Sequence, residues 1–409
     1  GLIQRVNSSQ TFIFKSKLLQ TNKSDLSLYA NYRILDFVDA TRKKEPTLNS
    51  RVVYTDRFFN QLIQSTTVYE TNSGTIPQQE FTYLEVPVGQ GVYTWNDYND
   101  NGIQELQEFE VAPFVDQAKF IRVFLPNRIY IKTHQNKFSQ SVTLNANQWQ
   151  NEKGVKKLLS YFYNQTAFII DRKTRSDGAN FELNPFSGSN ENVLGLNSSL
   201  RNSLFYNRGK QNHSITYSYL ENKTKNLLSI GSQETTNSSH QLQYNHLHQK
   251  SWLFGFFAKT IKTAIKSENF SEKNYDISGY QLAPKISYLF SKNTSWDLFY
   301  ELQKKKNQIG VSETLLQNRF GTAFSYSGDK KFILNGEVSF YQNKFEGNEF
   351  SSVGFQMLEG LQTGQNLTWR LLLQKNITQF LDINFNYQGR KSETSQAIHT
   401  GNVQLRAYF

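Results

Sequence analysis

The 409-residue chain contains no cysteine, a single methionine and seven prolines. Without cysteine it can form neither a disulfide framework nor a Cys-ligated zinc or iron–sulfur site. Hydrophobic residues make up only 37% of the chain, and its mean hydropathy is −0.60. The richest apolar run, residues 252–258, is far shorter than the ~20 residues that a membrane-spanning helix needs. These deficits exclude a disulfide-rich scaffold and a helical membrane protein.

Aromatic residues, in contrast, are abundant: 32 Phe, 22 Tyr and 5 Trp account for 14% of the chain. Soluble or disordered chains with so few aliphatic residues carry fewer rings. A β-barrel in a membrane accommodates both values, because its lumen-facing residues are polar and lower the average hydropathy. The sequence begins at Gly1, without an initiator methionine or a signal peptide, so we expect a mature or partial chain.

Apolar and polar residues alternate in several segments of the C-terminal two-thirds, most regularly in residues 381–388, 332–340 and 296–303. A period of two predicts strands with one apolar and one polar face. Strand and turn recur at about 14 to 20 residues, which is longer than the roughly 8 to 12 typical of soluble sandwiches. A large soluble β-sandwich is the competing interpretation, but it would need Val, Ile and Leu on its inner faces and shorter strands.

The C-terminal residues continue this alternation and end on an aromatic side chain. Val403, Leu405, Ala407 and Phe409 share one face of the last predicted strand. This pattern resembles the C-terminal β-signal of bacterial outer-membrane barrels, in which a terminal aromatic follows alternating apolar positions. The resemblance implies that the barrel-assembly machinery recognises this strand during biogenesis.

A wider resemblance covers residues 358–369, 386–391 and 399–401 and the segment from Trp95 to Pro126. These stretches resemble large outer-membrane β-barrel proteins of Bacteroidota. The resemblance implies a bacterial outer-membrane location, but that family has no single established activity that could be carried over.

Together these features predict an all-β fold with two regions. Residues 126–409 are expected to form a transmembrane antiparallel β-barrel of about 14 strands, within a range of roughly 12 to 18. Residues 1–125 are expected to form an N-terminal β-rich region, interrupted by Pro46, Pro77 and Pro87. This region is interpreted as a separate subdomain, with additional barrel strands as the alternative.

Residues 97–108, DYNDNGIQELQE, match the calcium-loop pattern D-x-[DN]-x-[DN]-G-x5-E at every required position. Calcium prefers six to eight oxygen ligands. The predicted ligands are the side chains of Asp97, Asn99, Asn101, Glu105 and Glu108 and the backbone carbonyl of Ile103. Gln104 stands where paired calcium sensors usually carry an aliphatic residue. We therefore expect a single structural Ca²⁺ loop, and a solvated acidic turn is the alternative.

Other candidate chemistry is sparse. His240, His246 and His248 could form a nickel or zinc site, but no carboxylate lies at ligand spacing among them. The sequence has no Gly-x-Ser-x-Gly elbow and no phosphate-binding glycine loop. We therefore do not expect an enzyme.

The net charge of +11 arises partly from clusters at 42–44, 156–157, 304–306 and 330–331, which we place at turns. Because phosphorylated lipid headgroups attract Lys and Arg at strand ends, we expect contact with outer-membrane lipid and lipopolysaccharide. Solvated loop charges are the plainer alternative, and no nucleic-acid partner is expected.

Three functions fit these features. The first is a structural or assembly subunit of a larger envelope complex for secretion, transport or barrel assembly, with other outer-membrane or periplasmic proteins as partners. The second is a pore or uptake channel for small solutes or oligomers. The third is an outer-membrane barrel hydrolase. The first is favoured because the sequence carries no catalytic motif and contains a calcium-type loop.

Overall fold

The computed structural model describes residues 5–39, 41–176, 181–186, 192–210, 212–228, 231–328, 332–378 and 380–408. Within these ranges the chain forms nineteen strands and two short α-helices, α1 (Val155–Leu159) and α2 (Ser352–Leu358). The strands are β1 (Asn7–Gln20), β2 (Ser24–Phe37), β3 (Glu45–Phe58), β4 (Ile63–Glu85), β5 (Tyr93–Trp95), β6 (Phe109–Val111), β7 (Phe120–Asn145), β8 (Phe162–Arg175), β9 (Val193–Tyr206), β10 (Ser214–Leu228), β11 (Gly231–His248), β12 (Trp252–Ser267), β13 (Tyr275–Ser291), β14 (Thr294–Asn307), β15 (Thr314–Ser327), β16 (Ile333–Glu346), β17 (Gly364–Thr378), β18 (Leu381–Ser392) and β19 (Ile398–Ala407). The expectation of an all-β, antiparallel fold is confirmed. None of the helices in the described ranges is long and apolar enough to span a membrane.

The long strands form one continuous antiparallel ladder in chain order. It runs from β1 to β4, passes directly from β4 to β7, and continues to β19. Residues 86–119, between β4 and β7, contain the short β5–β6 hairpin, and we call them the cap. The expected boundary at residues 125 and 126 falls inside β7, and β1–β4 belong to the same sheet as the later strands.

The two ends of the strands differ in their connections. At one end, the turn end, neighbouring strands are joined by short turns such as residues 21–23, 249–251 and 292–293. At the other, the loop end, lie the cap and the α2-containing residues 347–363. β1 and β19 both run from the loop end to the turn end. Among the described residues β1 and β19 do not pair with each other.

The two faces of the sheet have opposite polarity, as β14 illustrates. Trp296, Leu298 and Tyr300 point to the outward face, where they remain 45%, 38% and 39% exposed. Gln303 and Asn307 point to the opposite, concave face and are buried. Successive side chains of a strand point to opposite faces. Alternating apolar and polar residues in the sequence therefore give the sheet one apolar and one polar face. The outward face is apolar and the concave face is polar.

Neighbouring strands extend this pattern. Tyr300, Phe320 and Phe340 are directly opposite one another on the outward face of β14, β15 and β16. On the concave face the amide of Asn343 accepts a hydrogen bond from Gln317 at 3.0 Å. Buried polar groups are normally hydrogen-bonded. Because polar residues occupy every second position of both strands, the amide of Gln317 lies directly opposite that of Asn343 and can bond to it.

A row of aromatic rings crosses the outward face near the turn end. Trp252 of β12 pairs with Tyr288 of β13, which pairs with Trp296 of β14, which pairs with Phe324 of β15. The rings of Trp252 and Tyr288 make an edge contact with centroids 4.8 Å apart.

A small apolar cluster lies at the loop end on the concave side. It consists of Tyr275, Ile277, Leu315, Val353, Met357 and Leu358. α2 supplies the last three, and its N-terminus is capped by the Ser351 hydroxyl, which accepts a hydrogen bond from Gly354. The helix therefore covers the loop ends of β13 and β15.

Candidate functional site

The cap carries the predicted calcium loop on a short, rigid base. β5 and β6 pair through Tyr93 with Val111 and Trp95 with Phe109. This ladder brings the two ends of the intervening loop together. The loop is therefore held between two adjacent strands rather than between two helices, as in paired calcium sensors.

The first half of the loop wraps its side-chain oxygens around its own backbone. Asp97 accepts hydrogen bonds from the N–H groups of Asn101 at 3.1 Å and Gly102 at 2.7 Å. Asn99 accepts from the same Asn101 N–H at 3.2 Å. Asp97 and Asn99 therefore place oxygens on one side of the turn. Gly102 has φ of +70°, in the left-handed region that glycine adopts without strain.

The second half of the loop is organised by Glu108, whose side chain is only 1% exposed. Its carboxylate accepts hydrogen bonds from Trp95 Nε1 at 2.7 Å and from the backbone N–H groups of Tyr98 and Glu105, both at 3.3 Å. In the part of the chain that the structure describes, no Lys, Arg or His side chain forms an ion pair with Glu108. A buried carboxylate without a cationic partner is costly.

The remaining predicted ligands lie at the surface of the loop. Glu105 accepts hydrogen bonds from Asn99 at 2.7 Å and from Gln107 at 2.9 Å. Asn101 accepts from the N–H of Ile103 at 2.7 Å. The Ile103 side chain is exposed, so only its backbone carbonyl could serve as a ligand.

The donor set of this loop fits a hard cation, because each predicted position offers an oxygen. Asp97 and Asn99 accept from the same N–H group, and the Asn99 amide donates to Glu105. Glu108 is tied to the loop through the backbone N–H of Glu105. Within the described ranges, no three His, Cys, Asp or Glu side chains are clustered as a metal site. A cation here would rely on the amide oxygens of Asn99 and Asn101 and on a backbone carbonyl.

Tyr98 of the loop is directed towards the base of the cap. Burial raises its pKa, and the negative charge of Glu110 raises it further. Its hydroxyl lies 3.5 Å from the Glu110 carboxylate and 3.4 Å from the Asn96 amide. The phenol is therefore protonated and can donate to Glu110.

Two ion pairs fasten the cap to the surrounding strands. Lys273, between β12 and β13, binds Glu110 at 3.0 Å. Arg390 of β18 binds Asp116 at 2.7 Å. Because β13 and β18 lie far apart along the ladder, the sheet must curve around the cap to supply both partners. The sequence did not indicate either ion pair, because the two residues of each pair are far apart in the chain and no local pattern links them.

Beneath the cap lies a cavity of about 580 Å³. Phe114 and Asp116 of the cap line it on one side, and Arg319, Glu337 and Arg370 of the concave face line it on the other. Arg319 binds Glu337 at 2.6 Å and Glu301 at 3.4 Å. The cavity walls are therefore polar and carry both signs of charge.

The histidines predicted as a possible metal site are divided between two places. The Nδ1 atom of His246 lies 3.1 Å from that of His213, a residue that the sequence analysis did not include. It also lies 2.6 Å from the Asn212 carbonyl oxygen. His240 instead contacts the Tyr217 hydroxyl at 2.7 Å. The three predicted histidines therefore do not form one cluster.

The predicted β-signal residues lie on β19, at the end of the ladder. Leu405 pairs with Ile383 and Val403 with Phe385 of β18, and both β19 side chains are well exposed on the outward face. Ala407 pairs with Leu381. Phe409 lies outside the described residues.

Comparisons with known proteins give little further information. No family model matches the chain, and no curated protein matches it. Among solved structures, the chain is similar to the ferric-catecholate import receptor Fiu from E. coli K12, in its closed form, at 8% sequence identity. That match covers 98% of this chain and 74% of the receptor, with a TM-score of 0.32. A TM-score of this size is too low to support an assignment.

Proposed function

We propose that the chain is an integral β-barrel of the bacterial outer membrane and acts as a structural or assembly subunit of a larger envelope complex. The observation that carries this proposal is the inverted polarity of the sheet. Phe320 is 59% exposed on the outward face, whereas Ser339 and Asn366 on the concave face are 0% and 1% exposed. A soluble protein would bury the ring and expose the amide. Lipid around the sheet accounts for this arrangement.

The height of the outward apolar zone supports the same proposal. On β14 the zone runs from Trp296, in the aromatic row, to Leu302, and Lys304 is the next outward residue. Residues 296–304 form a segment nine residues long, and a tilted transmembrane β-strand needs about 9–11 residues. Outer-membrane barrels have aromatic residues at the borders of their apolar band.

The cap favours a structural role over an open channel. It fills part of the space enclosed by the curved sheet, and two ion pairs hold it there. We propose that Ca²⁺ bound by residues 97–108 makes it more rigid. The calcium would add charge that offsets the buried Glu108, and it would join Asp97 to Glu105.

The edge of the ladder at β19 is a candidate contact surface. Within the described residues, β19 pairs with β18 and not with β1. We propose that the barrel-assembly machinery engages the β19 edge during biogenesis, through Val403, Leu405, Ala407 and Phe409.

A second candidate function is a pore or uptake channel for small solutes or oligomers. The charged cavity beneath the cap favours it, because Arg319, Glu337 and Arg370 resemble a charged constriction in chemistry. In this case the cap would have to move.

Purification from native membranes tests the proposal. We expect the chain to remain in the membrane after carbonate extraction, to migrate differently in SDS gels before and after heating, and to co-purify with other envelope proteins in stoichiometric amounts. Recovery in the soluble fraction would refute the membrane location. A lone monomer with steady single-channel conductance in planar bilayers would refute the structural role and favour the channel.

A further inference from the structure

A group of lysines lies on the outward face near the loop end, and we call it the lysine patch: Lys262 of β12, Lys304 and Lys306 of β14, and Lys344 of β16. All four side chains are exposed. The sequence analysis placed residues 304–306 at a turn, but they form the end of β14. Alternation divides this cluster: Lys304 and Lys306 point outward, and Lys305 points to the concave face and binds Glu359 at 2.6 Å.

The register of the sheet brings the patch together. Lys262 and Lys306 both lie directly opposite Ser278 of β13, one on each side. Lys304 and Lys344 lie opposite Leu316 of β15 in the same way. Strands are about 4.8 Å apart, so the Cα atoms of each such pair are about 10 Å apart, and those of Lys304 and Lys306 are about 7 Å apart. Lysine side chains are long enough for neighbouring ammonium groups to reach one ligand.

The charge of the patch is not neutralised within the sheet. In the described residues, none of the four lysines forms an ion pair, unlike Lys225 on the same face, which binds Glu234 at 3.3 Å. Two carboxylates flank the patch. Glu346 accepts a hydrogen bond from Thr314 at 3.2 Å. Asp276 lies on the same face of β13 as Ser278, two residues nearer the loop end. The four ammonium groups therefore form a concentration of positive charge on alternate strands, and a polyanionic ligand would neutralise it.

The position of the patch indicates the kind of anion. Towards the turn end, Tyr280, Leu282 and Leu302 form an apolar strip on the outward face next to Lys304. Polar Thr260, Asn318 and Gln342 lie on the same face at the sides of this strip. A ligand with phosphates at the lysines and acyl chains over the apolar strip would satisfy both surfaces. A soluble phosphate would contact only the lysines.

We infer that the lysine patch is a binding site for a membrane lipid whose headgroup carries two or more phosphates. This inference rests on the membrane-spanning orientation proposed above. Each lysine near a charged membrane surface contributes favourably to such binding, and a headgroup with two phosphates can contact both lysine pairs at once.

The test compares two variants that lose the same charge. The patch variant carries Lys262→Gln, Lys304→Gln, Lys306→Gln and Lys344→Gln. The control variant carries Lys156→Gln, Lys157→Gln, Lys210→Gln and Lys250→Gln, which are exposed lysines at the turn end. Both proteins are folded in detergent, and binding of diphosphoryl lipid A, monophosphoryl lipid A and inorganic pyrophosphate is measured by native mass spectrometry.

We expect the patch variant to bind diphosphoryl lipid A at least about tenfold more weakly than the unmodified chain, and the control variant to bind it nearly as well. The unmodified chain should prefer the diphosphoryl lipid to the monophosphoryl form, and pyrophosphate should compete poorly. Equal loss in both variants, or equal binding of pyrophosphate, overturns the inference.

Two further outcomes separate this inference from the proposed function. If the unmodified chain inserts into membranes but the patch variant retains full lipid binding, the inference fails and the membrane location stands. If the unmodified chain does not insert, both fail. Should the fourfold variant not fold, the double variants Lys262→Gln/Lys306→Gln and Lys304→Gln/Lys344→Gln replace it, and each is expected to lose part of the affinity.

Discussion

Arg390 of β18 donates a hydrogen bond to Asp116 of the cap at 2.7 Å, although 274 residues separate them in sequence. Both side chains are largely buried, at 15% and 19% exposure. The guanidinium also donates to the Gly360 carbonyl at 3.2 Å and lies 4.4 Å from the centre of the Phe114 ring. This single side chain therefore joins the cap, the α2 loop and the C-terminal part of the sheet.

Replacing Arg390 with Gln is expected to loosen the cap. The substitution leaves the Asp116 carboxylate without its cation in a largely buried place, at a cost of about 1–3 kcal/mol. Limited proteolysis of the folded protein should then cleave residues 86–119 faster than in the unmodified chain, while the remaining sheet stays protected.

The control for this prediction is Lys44→Gln. Lys44 binds Asp36 at 2.9 Å, but both side chains are exposed, at 69% and 48%. Surface pairs of this kind contribute about 0–1 kcal/mol, so cleavage of the cap should not change. Equal protection of the cap in both variants would show that the Arg390–Asp116 pair does not hold it in place.

Calcium is expected to stabilise the cap through its loop. A site that binds only the folded state adds about 2.7 kcal/mol when calcium is at 100 times its dissociation constant. Asp97→Ala and Glu108→Gln should each abolish the difference in melting temperature between calcium and chelator. Measuring this difference, rather than the melting temperature alone, separates calcium binding from the structural contacts of Glu108.

Asp100→Asn is the matched control for the calcium loop. It removes a carboxylate from the same loop at a position that supplies no predicted ligand, and Asn tolerates the left-handed φ of 57° found there. We expect the calcium increment to persist in this variant. Identical melting of the unmodified chain with calcium and with chelator would eliminate the proposed site.

A charge in the middle of the outward face should impair membrane folding. Phe320 is 59% exposed and lies between Tyr300 and Phe340. An arginine at the bilayer midplane of a barrel costs about 2–4 kcal/mol, so Phe320→Arg should lower the folded fraction in lipid vesicles, read from the heat-dependent shift in gels. Phe59→Arg, at the turn end where Phe59 is 73% exposed, should have little effect. Comparable losses in both variants would contradict lipid contact at Phe320.

The outward residues of β19 are expected to matter for assembly. Leu405→Glu places a charge on the face shared by Val403 and Ala407, whereas Gln404→Glu places the same charge on the opposite face. If the assembly machinery reads the apolar face, only Leu405→Glu should reduce the amount of protein in the outer membrane and increase its degradation in the periplasm. Equal yields of the two variants would remove the support for a β-signal here.

Several of these features could be predicted because they depend on local sequence. Alternation in residues 296–303 predicted the strand and its two faces, since side-chain direction in a strand has a period of two. The spacing of Asp97, Asn99 and Asn101 predicted a loop that turns its oxygens inward. The same rule applied to residues 304–306 would have separated Lys305 from its neighbours, but three consecutive lysines were interpreted as a turn.

Other features depend on contacts between distant residues. Prolines at 46 and 77 were interpreted as breaks in a separate N-terminal region, yet both lie within strands of the single sheet. Pro46 pairs with Ile34, and Pro77 pairs with Tyr130. Proline lacks a backbone N–H, so whether a strand can contain it depends on whether the neighbouring strand needs a hydrogen bond at that position. The sequence of one strand does not contain this information.

By itself, the sequence determined that the chain forms long antiparallel strands with one apolar and one polar face, because the alternation of side chains is encoded residue by residue. It also determined which oxygen-bearing side chains the cap loop carries. Only the tertiary structure decided that the sheet curves around the cap, that Arg390 meets Asp116, and that lysines from three strands form one patch. Those relationships follow from strand register and curvature, which arise from pairing between segments that are far apart in the chain.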